Sequence, residues 1–151
     1  MSNERKTESL VRDKLRTLGY YEPDNGITVE EQKSEIAKVK TLLAKASKNA
    51  KGNPGYPEFV ISNRKDTAFL IVFECKPNVR KHESVARNRP VEYAVDGALH
   101  YARHLAKDYT VIAVAVSGTT VSSMKMRASL CQQEAQTPRS LSTRVASQWQ
   151  I

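Results

Sequence analysis

The chain has 151 residues, 40% of them hydrophobic and 26% charged, with 24 Lys and Arg against 16 Asp and Glu for a net charge of +8. That is the size of one domain, with enough apolar residues to fold around a core. No apolar run exceeds six residues (Ala68–Phe73 and Val111–Val116 are the longest), so a spanning helix of about 20 residues is excluded.

Residues 1–9 contain no apolar signal-peptide core, which points to a cytoplasmic protein. With only Cys75 and Cys131, and Cys75 inside an apolar run, neither a disulfide scaffold nor a zinc finger is expected. A basic surplus this large favours a polyanionic partner, nucleic acid first.

In chain order, Leu10, Val11, Leu15 and Leu18 share one helical face, so a first helix is predicted over Thr7–Leu18, with Gly19 as its stop. Pro23, Asn25 and Gly26 mark a turn. Thr28 to Glu31 has the spacing of a capping box, and Ile36, Val39, Leu43 and Ala46 continue a stripe, so a second helix is predicted from Thr28 to Lys48. Six lysines between 33 and 51 are read as the solvated face of that helix and the loop after it.

After the break at 51–57, Glu58–Ser62 and Ala68–Cys75 are predicted as an antiparallel hairpin whose second strand is apolar on both faces and therefore central. A basic connection leads to a third helix over Pro90–Lys107 and a third strand over Tyr109–Ser117. The order predicts an α/β fold with a mixed central sheet and a crossover helix between strands two and three. Near Gly118 the composition turns to Ser, Thr, Gln and Arg. Residues 1–118 are read as the domain and 119–151 as a polar tail, disordered or truncated.

The chemistry concentrates where a buried strand ends in charge. Glu74 and Lys76 point to one face and Cys75 to the other. A carboxylate there is costly unless paired, metal-bound or solvated. Glu58 opens the neighbouring strand sixteen residues earlier, so pairing of the two strands brings Glu58 and Glu74 together. Two such carboxylates repel unless a cation lies between them, and oxygen donors suit Mg²⁺ or Mn²⁺. Acid-x-Lys is common in so charged a chain. Pro57-Glu58, the spacing and the hairpin together point to a metal site rather than an ion pair capping a strand. His100 and His104 share a helix face with no third ligand evident nearby, so a surface or packing role is expected there.

Pro57-Glu58 with Glu74-x-Lys76 resembles the motif of the PD-(D/E)xK nucleases. The leading helix with Glu8, the two strands and the helix around Tyr101 resemble the N-terminal nuclease domain of type I restriction subunits and of related nuclease–methyltransferase fusions. The resemblance spans residues 4–118 and implies a restriction-endonuclease-like fold and Mg²⁺-dependent cleavage of DNA, with Mn²⁺ able to substitute. It implies Glu58 and Glu74 as metal ligands, Lys76 as the catalytic lysine and Glu8 as a supporting acid. It also implies methyltransferase, translocase or specificity subunits as partners. The first acid is Glu where Asp is commoner. Tyr101 fits the tyrosine of a Gln-x-x-x-Tyr motif whose glutamine position holds Gly97. Arg80, Lys81, Arg87 and Arg89 follow the motif and are candidate phosphate contacts. The alternative reading is a catalytically degenerate DNA-binding or assembly module of such a complex.

Overall fold

A computed structural model describes residues 3–49, 54–133 and 139–140 of the chain. Helix α1 (Asn3–Thr17) buries Thr7, Val11 and Leu15, three positions at four-residue spacing. It ends as Gly19 predicts: Gly19 takes φ +85°, Tyr20 N donates to Leu15 O at 3.0 Å and Gly19 N to Arg16 O at 3.1 Å. These bonds satisfy carbonyls that the last turn leaves open.

The next element corrects the sequence reading. Residues 28–31 do not begin a helix; Ile27–Glu31 is strand β1, and α2 is only Ala37–Leu43. Thr28 pairs with Ser62 and Val29 with Ile61 across an antiparallel ladder. The β-branched Ile27 and Val29 pack on one face of the sheet, and that tertiary pairing overrides the local capping-box pattern. β2 (Phe59–Asn63) and β3 (Asp66–Lys76) form the expected hairpin, α3 (Ala94–Leu105) crosses over, and β4 (Thr110–Ser117) pairs parallel to β3.

The boundary at Gly118 is also corrected. β5 (Lys125–Cys131) pairs antiparallel to β4 from Ser117↔Lys125 to Val111↔Cys131, so the sheet continues into the polar region. β6 (Arg139–Ser140) completes a six-stranded sheet in the order β1-β2-β3-β4-β5-β6. The rest of the predicted tail, 134–138 and 141–151, lies outside the described residues. This is the mixed α/β sheet flanked by helices, of the restriction-endonuclease-like kind, that the sequence predicts. No helix among the described residues is long and apolar enough to cross a membrane.

The period-two alternation of β3 divides the core. Leu70 and Val72 face α2 and α3, whereas Ile71, Phe73 and Cys75 face α1. Glu74 has the parity of Leu70 and Val72 and so points toward α3. Because β2 is antiparallel to β3 and β4 is parallel to it, the start of β2 and the ends of β3 and β4 meet at one edge. Thr7 Oγ1 donates to Gly118 O at 2.8 Å, which pins the first turns of α1 to that same edge.

Candidate active site

At this edge lies an open cavity of about 670 Å³ whose lining includes Glu4, Glu8, Lys48, Tyr56, Glu58 and Tyr101. Glu58 is held by its backbone on both sides: its N–H donates to Phe73 O at 3.0 Å, and its carbonyl accepts from Gln32 N at 3.1 Å. Its carboxylate Oε2 accepts from Cys75 N at 3.1 Å. Glu4 and Glu8 lie one helical turn apart on α1, and a carboxylate oxygen from each falls within 4.8 Å of one from Glu58.

Glu74 is fully buried behind the cavity wall. Its Oε1 lies 2.6 Å from Lys48 Nζ and 3.5 Å from Lys76 Nζ. Its Oε2 is buried and accepts no hydrogen bond among the described residues. Gly97 of α3 makes room for it, since a Cβ there would lie 2.9 Å from Glu74 Cγ.

The electrostatics follow from this packing. Burial, then the charge of Glu74, push the Glu58 carboxyl well above the usual carboxylate range, against the nearby Lys48 charge that lowers it. The Glu8 carboxyl is also raised, first by burial and then by the Glu4 charge. Lys48 is raised despite burial, which acts against it, because Glu74 attracts its charge and accepts its hydrogen bond. Two carboxyl groups in so little water must share a proton or a cation. The ligand atoms are all oxygen, and one buried Glu74 oxygen lacks a hydrogen-bond donor among the described residues, so the residues present fit a hard divalent cation.

The expected residues therefore divide. Glu58, Glu74, Lys76 and Glu8 gather at one sheet edge, as the sequence predicts. The four candidate phosphate contacts do not line the cavity. Arg80 is exposed. Lys81 pairs with Glu92 at 3.3 Å, Arg87 with Glu83 at 3.1 Å, and Arg89 with Glu92 at 2.7 Å. Their connection is clamped to α3 by buried Asp96, which accepts from the Ser84 hydroxyl, from Ser84 N at 3.1 Å and from Arg89 N at 2.9 Å.

Two participants, Lys48 and Glu4, are absent from the sequence reading of the site, and a third has an added role. Lys48 is not a solvated lysine; it reaches a buried carboxylate 26 positions later, and no local pattern announces that. Glu4 carried a readable signal, its four-residue spacing from Glu8. Tyr101 is buried, and its hydroxyl accepts from Tyr56 N at 3.3 Å on the cavity wall. The histidines pack as predicted: His100 Nε2 lies 3.1 Å from Ala46 O, and His104 Nδ1 lies 3.0 Å from His100 O.

Comparison with known proteins gives one relationship of note. The chain is 33% identical over 132 residues to the "Type II restriction enzyme and methyltransferase RM.BcgI" of Heyndrickxia coagulans. The match covers 78% of this chain and 19% of that protein, so the chain spans about a fifth of the length of the curated relative it matches. The similarity relates the chain to a restriction–modification protein. No family model matches it, and no solved structure does.

Proposed function

We propose that the chain is a Mg²⁺-dependent DNA endonuclease domain of a restriction–modification system, working in the cytoplasm beside methyltransferase or specificity functions. The observation that carries the reading is the buried Glu74, with one oxygen lacking a donor among the described residues, beside a Glu58 whose charge its surroundings oppose. The relative, a fused restriction enzyme and methyltransferase, supports the same biological setting.

Glu58 and Glu74 would hold the cation through hard oxygen donors. Bound there, it would lower the pKa of a coordinated water and polarise a phosphodiester oxygen. Lys76, on the same strand face as Glu74, orients the water or answers the charge that builds on the phosphorane. Glu8, held at the edge by the Thr7 anchor, supports Glu58 from α1. The open cavity gives the phosphodiester its approach.

The test is thermal melting with and without Mn²⁺, followed by plasmid cleavage in Mg²⁺ or EDTA. Wild type should gain stability with Mn²⁺ through linkage, and Glu74→Ala should not. Metal-dependent cleavage that survives Glu74→Ala unchanged would sink the proposal. One observation favours a second reading, a DNA-binding module without catalysis: Glu74 already has two lysines beside it. Such a module would hold DNA equally well in EDTA and would not respond to Glu74→Ala.

A further inference from the structure

Glu74 is attended by two cations that differ in freedom. Lys76 is two residues along the same strand face, so its root is fixed by the β3–β4 ladder. Lys48 comes from the irregular segment after α2 and carries its charge on a flexible four-carbon stem. Its root is held by Ala46, which is fully buried and whose carbonyl meets His100. Lys48 nevertheless lines the open cavity. While its ammonium sits 2.6 Å from Glu74, it also lies over the face of Tyr101, 5.3 Å from the ring centroid.

A divalent cation on Glu58 and Glu74 meets an ammonium already seated on the same carboxylate. We infer that Lys48 is the resident counter-ion of Glu74, displaced into the cavity when a divalent cation binds, where it becomes a positioning residue for the phosphodiester. This inference rests on the reading of Glu58 and Glu74 as metal ligands. Until the metal arrives, Lys48 gives a buried carboxylate the partner that burial demands. When both cations seek one carboxylate they oppose each other, and the opposition is reciprocal. The displaced ammonium is left where a phosphate oxygen would enter.

The experiment is calorimetric titration of the 151-residue chain with Mn²⁺ at fixed pH and ionic strength. Four proteins are compared: wild type, Lys48→Met, Lys45→Met and Glu74→Gln. Lys48→Met keeps the apolar stem and removes the charge, and should bind Mn²⁺ about five-fold more tightly or better, within the usual range of coupling between ligands. Lys45→Met removes an exposed charge three residues away and should change affinity less than about two-fold, because solvent and salt screen it. Glu74→Gln should lose binding.

A second arm measures DNA binding against salt. With Ca²⁺ present, the salt dependence of Lys48→Met should be shallower than that of wild type by about one phosphate contact; in EDTA the two should coincide. If Lys48→Met does not melt cooperatively, Lys48→Gln serves the same comparison. Mn²⁺ binding by Lys48→Met alone, with wild type silent, would leave Lys48 as the counter-ion of Glu74 and overturn its displacement by the metal. Wild-type binding that Lys48→Met leaves equal or weaker overturns this inference and spares the ligand assignment. Silence from both proteins overturns both. Equal salt slopes in Ca²⁺ overturn the phosphate role.

Discussion

Glu58 and Glu74 stand on neighbouring strands at one sheet edge, and their surroundings are opposite. On the β3 side, two lysines lie within 3.5 Å of the Glu74 carboxylate. On the β2 side, Glu58 faces Glu4 and Glu8, and its carboxylate accepts from the backbone N–H of Cys75. The β3 wall is thus compensated by direct lysine contacts, whereas on the other the charges of Lys48 on Glu58 and of Arg12 and Arg5 on Glu8 are outweighed, and both carboxyls are raised. An arrangement built only for stability would interleave these charges. This one sets Glu4, Glu8 and Glu58 beside a buried Glu74 oxygen without a donor among the described residues, which costs folding energy and creates a place for a cation.

Removing Glu74 destroys the comparison most completely. Glu74→Ala should abolish the Mn²⁺-dependent rise in melting temperature and reduce cleavage by about 10²-fold or more, the scale seen when a group stabilising developing charge is lost. Lys76→Ala sharpens it. That variant should retain the Mn²⁺ shift, since both carboxylates remain, yet lose cleavage by about 10²-fold. If Lys76→Ala loses metal binding together with cleavage, Lys76 acts by holding Glu74 in place and not on the reacting phosphate.

The compensated wall also depends on a missing side chain. A Cβ at Gly97 would sit 2.9 Å from both Glu74 Cγ and Pro90 O. The Pro90 carbonyl belongs to the connection that Asp96 clamps, so it yields poorly. Alanine favours helix by about 1 kcal/mol over glycine, but overpacking typically costs about 1–3 kcal/mol. Gly97→Ala should lower the melting temperature by several degrees and weaken Mn²⁺ binding by displacing Glu74. A higher melting temperature would show that Glu74 has room to spare.

How much of this was legible depended on whether the cause was local. The alternation of β3, the crossover stripe of α3 and the pairing that joins Glu58 to Glu74 follow from residues near one another in sequence. β1 did not, because Thr28 to Glu31 satisfies a helix start locally and becomes a strand only through its ladder with β2. β5 was hidden by polar neighbours: of its seven residues only Ala128, Ser129 and Cys131 are buried, too few to stand out in a Ser- and Thr-rich region. Lys48 was illegible for a third reason. A lysine's reach is set by where its loop is anchored, and that anchor at Ala46, His100 and Gly55 is wholly tertiary.

The uncompensated wall predicts a reversal in stability that metal should undo. Glu58 has a folded-state pKa above its ordinary value of about 4.5, first because it is buried and next because Glu74 is charged beside it. Between those two values the folded chain holds a proton that the unfolded chain has released. Its contribution to stability is therefore full below about pH 4.5 and is lost as pH rises through the folded value. Glu58→Gln removes the charge that burial opposes. In EDTA at pH 8 it should melt about 2–4 °C above wild type, roughly 1 kcal/mol for a chain of this size, and the gap should close toward pH 4.5. In Mn²⁺ the order should invert, because the cation rewards the ionised carboxylate that only wild type offers. A wild type that is the more stable protein at pH 8 in EDTA would mean that the acidic wall is already neutralised within the fold. The asymmetry between the two carboxylates would then not be the reason a cation binds.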